Sequence, residues 1–94
     1  MTDPRKRQSD EELARENARL YLIQRIVDAA CMGLSLGILT RRGALELMAD
    51  TRRRVLELAP DDEDKYDLIY APRLRRMAKQ FAGLDIEPGE ELKI

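Results

Sequence analysis

The chain has 94 residues, of which 44% are hydrophobic, only four are aromatic, and the net charge is −1. This length allows one small domain, and the near-neutral charge excludes a chain-wide attraction to nucleic acid or to an anionic membrane. Histidine is absent and Cys31 is the single cysteine, which removes the usual general base, most zinc sites and any intrachain disulfide.

The remaining polar residues form no recognisable catalytic or cofactor motif. Glycine-rich phosphate loops are lacking, and the acidic residues fall at expected helix starts, on expected solvent faces or near the C-terminus. We therefore expect a protein that is not an enzyme and that needs no cofactor or metal. Because charged residues interrupt every longer apolar stretch and no signal-peptide pattern is present, we expect a cytoplasmic location without a membrane partner.

The first predicted element is a long helix preceded by an arm. Residues 1–8 are polar and contain Pro4, so we predict a mobile N-terminal arm there. Ser9 followed by Glu12 has the form of a capping box, which predicts that the first helix begins at about Asp10 and continues to about Leu36. One helical domain is expected over residues 9–82.

The apolar residues of this helix cover more than one face. A three-four spacing predicts a core stripe of Leu13, Leu20, Ile23, Val27, Ala30 and Leu34. Four further residues widen the apolar surface beyond what a surface helix normally shows, namely Leu22, Ile26, Ala29 and Leu36. We expect this second set to need cover, and we assign it as the candidate interface of a homodimer.

The second helix is predicted over Arg41 to Leu58, after a short turn. Gly37 suits a left-handed cap with Ile38 making its apolar contact, and Thr40 suits the N-cap of the next helix. The buried face is predicted to contain Ala44, Leu47, Met48, Thr51, Val55 and Leu58, with Leu45 and Leu56 on one flank.

The three consecutive arginines of this helix point about 100° apart, so they do not form one basic patch. Arg53 and Arg54 are within pairing distance of Asp50. Arg52 projects beside the apolar flank, where it covers the core or reaches a partner.

Pro60 ends the second helix, and the acidic run from Asp61 opens a third that continues to about Phe81. Pro72 removes a backbone donor, which predicts a kink or a division near Tyr70. The predicted apolar face contains Tyr66, Ile69, Tyr70, Leu74, Met77 and Phe81. Gly83 is expected to end this helix, and residues 83–94 to form an acidic, irregular tail that docks through Leu84 and Ile86.

The third helix also carries the candidate partner-binding residues Tyr66, Tyr70, Arg73 and Arg76. Tyr66 and Tyr70 suit an interface anchor, but they equally suit the core of a protein poor in aromatic residues. The segment 73–79 carries a charge of +4, which either complements the helix C-terminus or binds an acidic partner. Such a partner is an unidentified acidic protein or the −3 tail of the same or a second chain.

The sequence as a whole predicts an all-α, three-helix antiparallel bundle with a long first helix, a proline-kinked third helix and a dimeric state. The favoured function is a non-catalytic, self-associating module for protein–protein interaction. The alternative is a small dimeric regulator that binds nucleic acid through its N-terminal arm and its arginines, Arg41, Arg42, Arg73 and Arg76.

Overall fold

The computed structural model describes the backbone of residues 4–94 and the side chains of residues 10–94. Within that range the chain is all-helical and contains no strand. The first two helices are α1 (Pro4–Ser35) and α2 (Arg41–Leu58). The third, here called α3, covers residues 63–82 and joins three contiguous segments: Glu63–Lys65, a π-helical segment Tyr66–Tyr70, and Ala71–Ala82.

The first helix begins earlier than the capping-box pattern predicts. Its backbone is helical from Pro4, a position that suits proline because the first helical residues have no intrahelical partner for their N–H groups. Ser9 therefore lies inside α1 and not at its N-cap, so the predicted start is wrong. The mobility predicted for residues 1–8 is untested, and residues 1–3 lie outside the described part.

The turn between α1 and α2 has the predicted cap residues. Gly37 adopts a φ of +68°, and the Thr40 hydroxyl accepts a hydrogen bond of 3.1 Å from the Gly43 N–H. Ile38, however, is 78% exposed, so its expected apolar contact is not made. The bounds predicted for the second helix are confirmed.

The third helix is divided near Tyr70, next to Pro72, where the sequence predicts a kink or a division. The π-helical segment Tyr66–Tyr70 ends immediately before the α-helical segment that contains Pro72. A proline ring clashes with the carbonyl four residues earlier in a regular α-helix, and a π-type turn is one of the usual ways to accommodate such a defect. The helix ends at Gly83, whose φ is +66°, as predicted.

Each of the three helices contacts the other two. The ideal Cβ position of Gly33 lies 3.2 Å from the Leu47 side chain, so α1 and α2 approach closely there. The buried core consists mainly of aliphatic side chains, with Tyr66 as its one large aromatic. Its most buried large members are Tyr66, Ile23, Leu34, Met48, Leu74, Val27 and Val55.

Several predicted core positions are exposed. Leu13 and Leu20 of α1 are 56% and 41% exposed, although Asp62 of the 3₁₀ turn after α2 lies near Leu20. In α3, Ile69 and Phe81 are also exposed, whereas Ala71 and Ala78 are buried. The π-helical segment changes the angular register of the helix, so the buried face after Tyr70 is not the one that a regular 3.6-residue period predicts.

The molecule is elongated, with principal extents of 59 × 24 × 16 Å. Its radius of gyration is 16.5 Å, against about 12 Å for a compact domain of this length. The difference arises from the N-terminal half of α1, which extends beyond the body formed with α2 and α3.

The tail is more ordered than an irregular segment. It contains a 3₁₀ turn, Glu90–Lys93, which contacts α2. Ile86 is 8% exposed and Leu84 is half-buried against the core, which confirms the predicted docking residues. Glu91 is 3% exposed, and its Oε2 atom has no hydrogen-bond partner.

Candidate interaction surfaces

Three of the four residues predicted to form a dimer interface share one accessible surface. Leu22 is 48% exposed, Ala29 is exposed and Ile26 is half-buried. Together with Ala18, they lie roughly 115° around α1 from its buried face, and we call these four residues the outward face. Leu36 is 64% exposed, but it follows the end of α1 and does not line the groove beside this face.

An open groove adjoins the outward face where α1 meets α2. Leu22, Arg25 and Ile26 line one wall, and Leu47 and Arg54 line the other. Within the groove, Arg54 pairs with Asp50 at 3.0 Å, as the helical spacing predicts. The groove is therefore lined by apolar side chains together with Asp50 and Thr51, and it carries two arginines at its rim.

The protruding half of α1 adds to this accessible surface. Every side chain from residue 10 to residue 22 is exposed, including Leu13, Leu20 and Tyr21, which is 61% exposed. The Arg25 guanidinium lies 6.0 Å from the centre of the Tyr21 ring, a distance at which cation–π attraction is weak. Single apolar residues are ordinary on protein surfaces. Beyond that, an isolated monomer gains no stability from the apolar character of Leu13, Leu20 and Tyr21, because none of the three is buried.

The tyrosines of α3 belong to the core more than to the surface. Tyr66 is 1% exposed, and burial raises the pKa of its hydroxyl. The Tyr70 ring is half-buried, with its centre 5.9 Å from that of Tyr66. Tyr66 was predicted to be either an interface anchor or a core residue. The structure places it in the core, where its ring is not accessible to a partner.

The two arginines predicted to bind a partner are exposed on α3. Arg73 lies 3.5 Å from Asp28 of α1, so its charge has an acid of the same chain nearby. Arg76 lines an open groove between α3 and the tail, opposite Leu84 and Asp85. Lys79, on the same helix, pairs with Asp85 at 2.8 Å. The acidic tail of the same chain therefore occupies part of this basic face.

The tail also supplies the anion for the start of α2. Arg41 donates to both carboxylate oxygens of Glu90, at 2.7 Å and 2.5 Å. This hydrogen bonding lowers the pKa of Glu90, and a hydrogen bond from the Glu87 N–H lowers it further. The same bond raises the pKa of Arg41. A cation at this position opposes the helix dipole, and its contact with the tail explains its presence.

Arg52 makes a contact that sequence reasoning missed. Its side chain is 15% exposed and pairs with Glu63 at 2.7 Å and with Asp67 at 3.2 Å. These ion pairs connect α2 to the start of α3. The available signal was the acidic run from Asp61, which we assigned only to the helix dipole and not to an arginine of the preceding helix.

The remaining chemistry of the described residues is sparse. Cys31 is 6% exposed, and desolvation raises the pKa of its thiol, which disfavours the reactive thiolate. Among residues 10–94, no group of three potential ligands is placed to hold a metal ion. In the part of the chain that the structure describes, no helix combines the length and hydropathy needed to cross a bilayer.

No protein-family model matches the chain, and no curated protein or solved structure has significant similarity to it.

Proposed function

We propose that this protein is a non-catalytic helical interaction module that self-associates through the outward face of α1. The observation that carries the proposal is the uninterrupted exposure of α1 from residue 10 to residue 22, next to a partly apolar groove. A second copy is the occupant we favour, because the acidic segment 10–12 and an arginine-rimmed groove are both present on the same chain.

The charges of the body favour this module over the regulator that binds nucleic acid. Arg41 and Arg73, two of the four arginines assigned to phosphate contacts, each lie beside an acid of the same chain. Arg42 pairs with Glu46 at 3.0 Å. Paired arginines neutralise fewer phosphates, and nonspecific affinity for nucleic acid depends on that number. The N-terminal arm of the regulator hypothesis, residues 1–8, lies outside the described side chains.

A single substitution on the outward face tests the proposal. Leu22→Glu places a charge within the proposed contact in both copies, and we expect the dissociation constant of the dimer to rise at least about tenfold. Sedimentation equilibrium measures this constant, and circular dichroism checks that helix content is unchanged.

Leu68→Glu is the matched control, because Leu68 is 77% exposed on α3, away from the outward face. We expect this variant to have the same dissociation constant as the unsubstituted protein. Equal effects of the two substitutions, or no effect of Leu22→Glu on a protein that does dimerise, would remove the outward face from the interface.

A further inference from the structure

We infer that the second copy binds antiparallel to the first along the protruding half of α1, with the two-fold axis passing near Ala18. This inference rests on the proposed self-association and adds the orientation and the register. It follows from the positions of charged and small residues on one sector of the helix.

The relevant residues occupy a single sector of α1. At 100° per residue, Glu11, Ala14, Ala18, Leu22 and Arg25 lie within about 80° of one another. All five are exposed. The sector thus begins with an acid, continues through small and apolar side chains, and ends with an arginine.

An antiparallel arrangement matches these charges. When Ala18 faces Ala18 of the second copy, Glu11 faces Arg25 of the second copy, and Ala14 faces Leu22 of the second copy. Each contact occurs twice, as a two-fold axis requires. A parallel arrangement instead places Glu11 beside Glu11 and Arg25 beside Arg25, and like charges at a helix contact are destabilising.

The groove between α1 and α2 extends the contact. In the antiparallel register, the first acidic turn of the second copy, residues 10–12, approaches Arg25 and the adjacent Ile26. Arg54 stands on the opposite wall of the groove, with its side chain 61% exposed. Glu11 of the incoming helix therefore approaches the two arginines at the rim, whereas Asp10 and Glu12 point about 100° to either side of it. The methyl side chain of Ala18 permits the close approach at the crossing point.

Disulfide crosslinking distinguishes the two orientations. Ala14→Cys, Ala18→Cys and Leu22→Cys are each introduced beside Cys31→Ala and oxidised under mild conditions. We expect Ala18→Cys alone to form a crosslinked dimer, and Ala14→Cys to crosslink only when it is mixed with Leu22→Cys. Facing cysteines need Cα atoms within about 7 Å. The antiparallel register provides this for both pairs, whereas a parallel register provides it for residue 18 with itself but not for residues 14 and 22.

The other outcomes separate the orientation from the self-association itself. Crosslinking of all three variants with themselves would indicate a parallel pair and overturn the inference while leaving self-association in place. An absence of crosslinks from a protein of dimer mass would place the second copy on another face, and would also overturn it. An absence of crosslinks together with monomer mass would refute the proposed function as well.

Discussion

Two glycines with almost the same backbone conformation differ in what surrounds them. Gly37 and Gly83 have φ values of +68° and +66°. A Cβ atom on Gly37 would lie 2.5 Å from the Phe81 carbonyl oxygen, whereas a Cβ on Gly83 would have no atom within 4 Å. Gly37 thus serves both the turn after α1 and the contact of this turn with the end of α3.

Substituting alanine at each of the two glycines should therefore destabilise the protein to different extents. Gly83→Ala should lower the free energy of unfolding by about 1 kcal/mol, the cost of the left-handed conformation for alanine. Gly37→Ala should cost more, about 2 to 3 kcal/mol, because the backbone must also shift away from Phe81. Urea denaturation followed by circular dichroism measures both values. Equal losses for the two variants would contradict the assigned role of the contact with Phe81.

Ion pairs and helix caps were predictable from the sequence where the two partners are close along the chain. The pairing of Arg53 and Arg54 with Asp50, and the cap at Thr40, follow from helical spacing alone. The contact of Arg41 with Glu90 was not predictable, because only the tertiary fold brings these residues together, whereas the contact of Arg52 with Glu63 had a signal in the acidic run from Asp61. The distance in sequence, 49 residues in the first case, determines the difference.

At the scale of elements, Pro72 is accommodated by a π-helical segment in α3, and the tail pairs with the start of α2. The helix limits near Gly37, Pro60 and Gly83 were predictable, because glycine and proline act on the local backbone. The π-helical segment before Pro72 was not, and the exposure of Ile69 and Phe81 follows from the register it creates. A periodicity argument assumes 3.6 residues per turn and fails where that value changes.

The contact between the tail and α2 predicts a dependence on pH. The pKa of Glu90 is lower in the folded protein than its ordinary value, so its contribution to tail docking is present at neutral pH and is lost as pH falls through the folded pKa. We expect the NMR signals of the Ile86 methyl groups to shift as the pH falls below the ordinary glutamate pKa of about 4.3 and the tail is released. In Arg41→Gln the transition should move to higher pH, towards the ordinary glutamate value.

Arg42→Gln is the control for this titration, because Arg42 pairs with Glu46 and not with the tail. Its midpoint should equal that of the unsubstituted protein. A midpoint in Arg41→Gln that stays at the unsubstituted value would mean that the ion pair with Glu90 does not hold the tail.

At the scale of the whole molecule, sequence reasoning identified an all-helical chain of three helices. From the excess width of the apolar surface on α1 it also predicted an interface of Leu22, Ile26, Ala29 and Leu36, of which the structure leaves Leu22, Ala29 and Leu36 exposed. It did not identify the protrusion of α1, because periodicity shows which side of a helix is apolar and not which part has neighbours. Leu13 and Leu20 have core spacing and lie outside the body for this reason.

The most direct test of self-association is the solution mass of the unsubstituted protein, measured by light scattering on a gel-filtration peak at low and high salt. We predict twice the chain mass of 10.8 kDa at both salt concentrations, because the contact along α1 is mainly apolar and salt screens only its additional charge pairs. A mass of one chain at micromolar concentration under both conditions would contradict it.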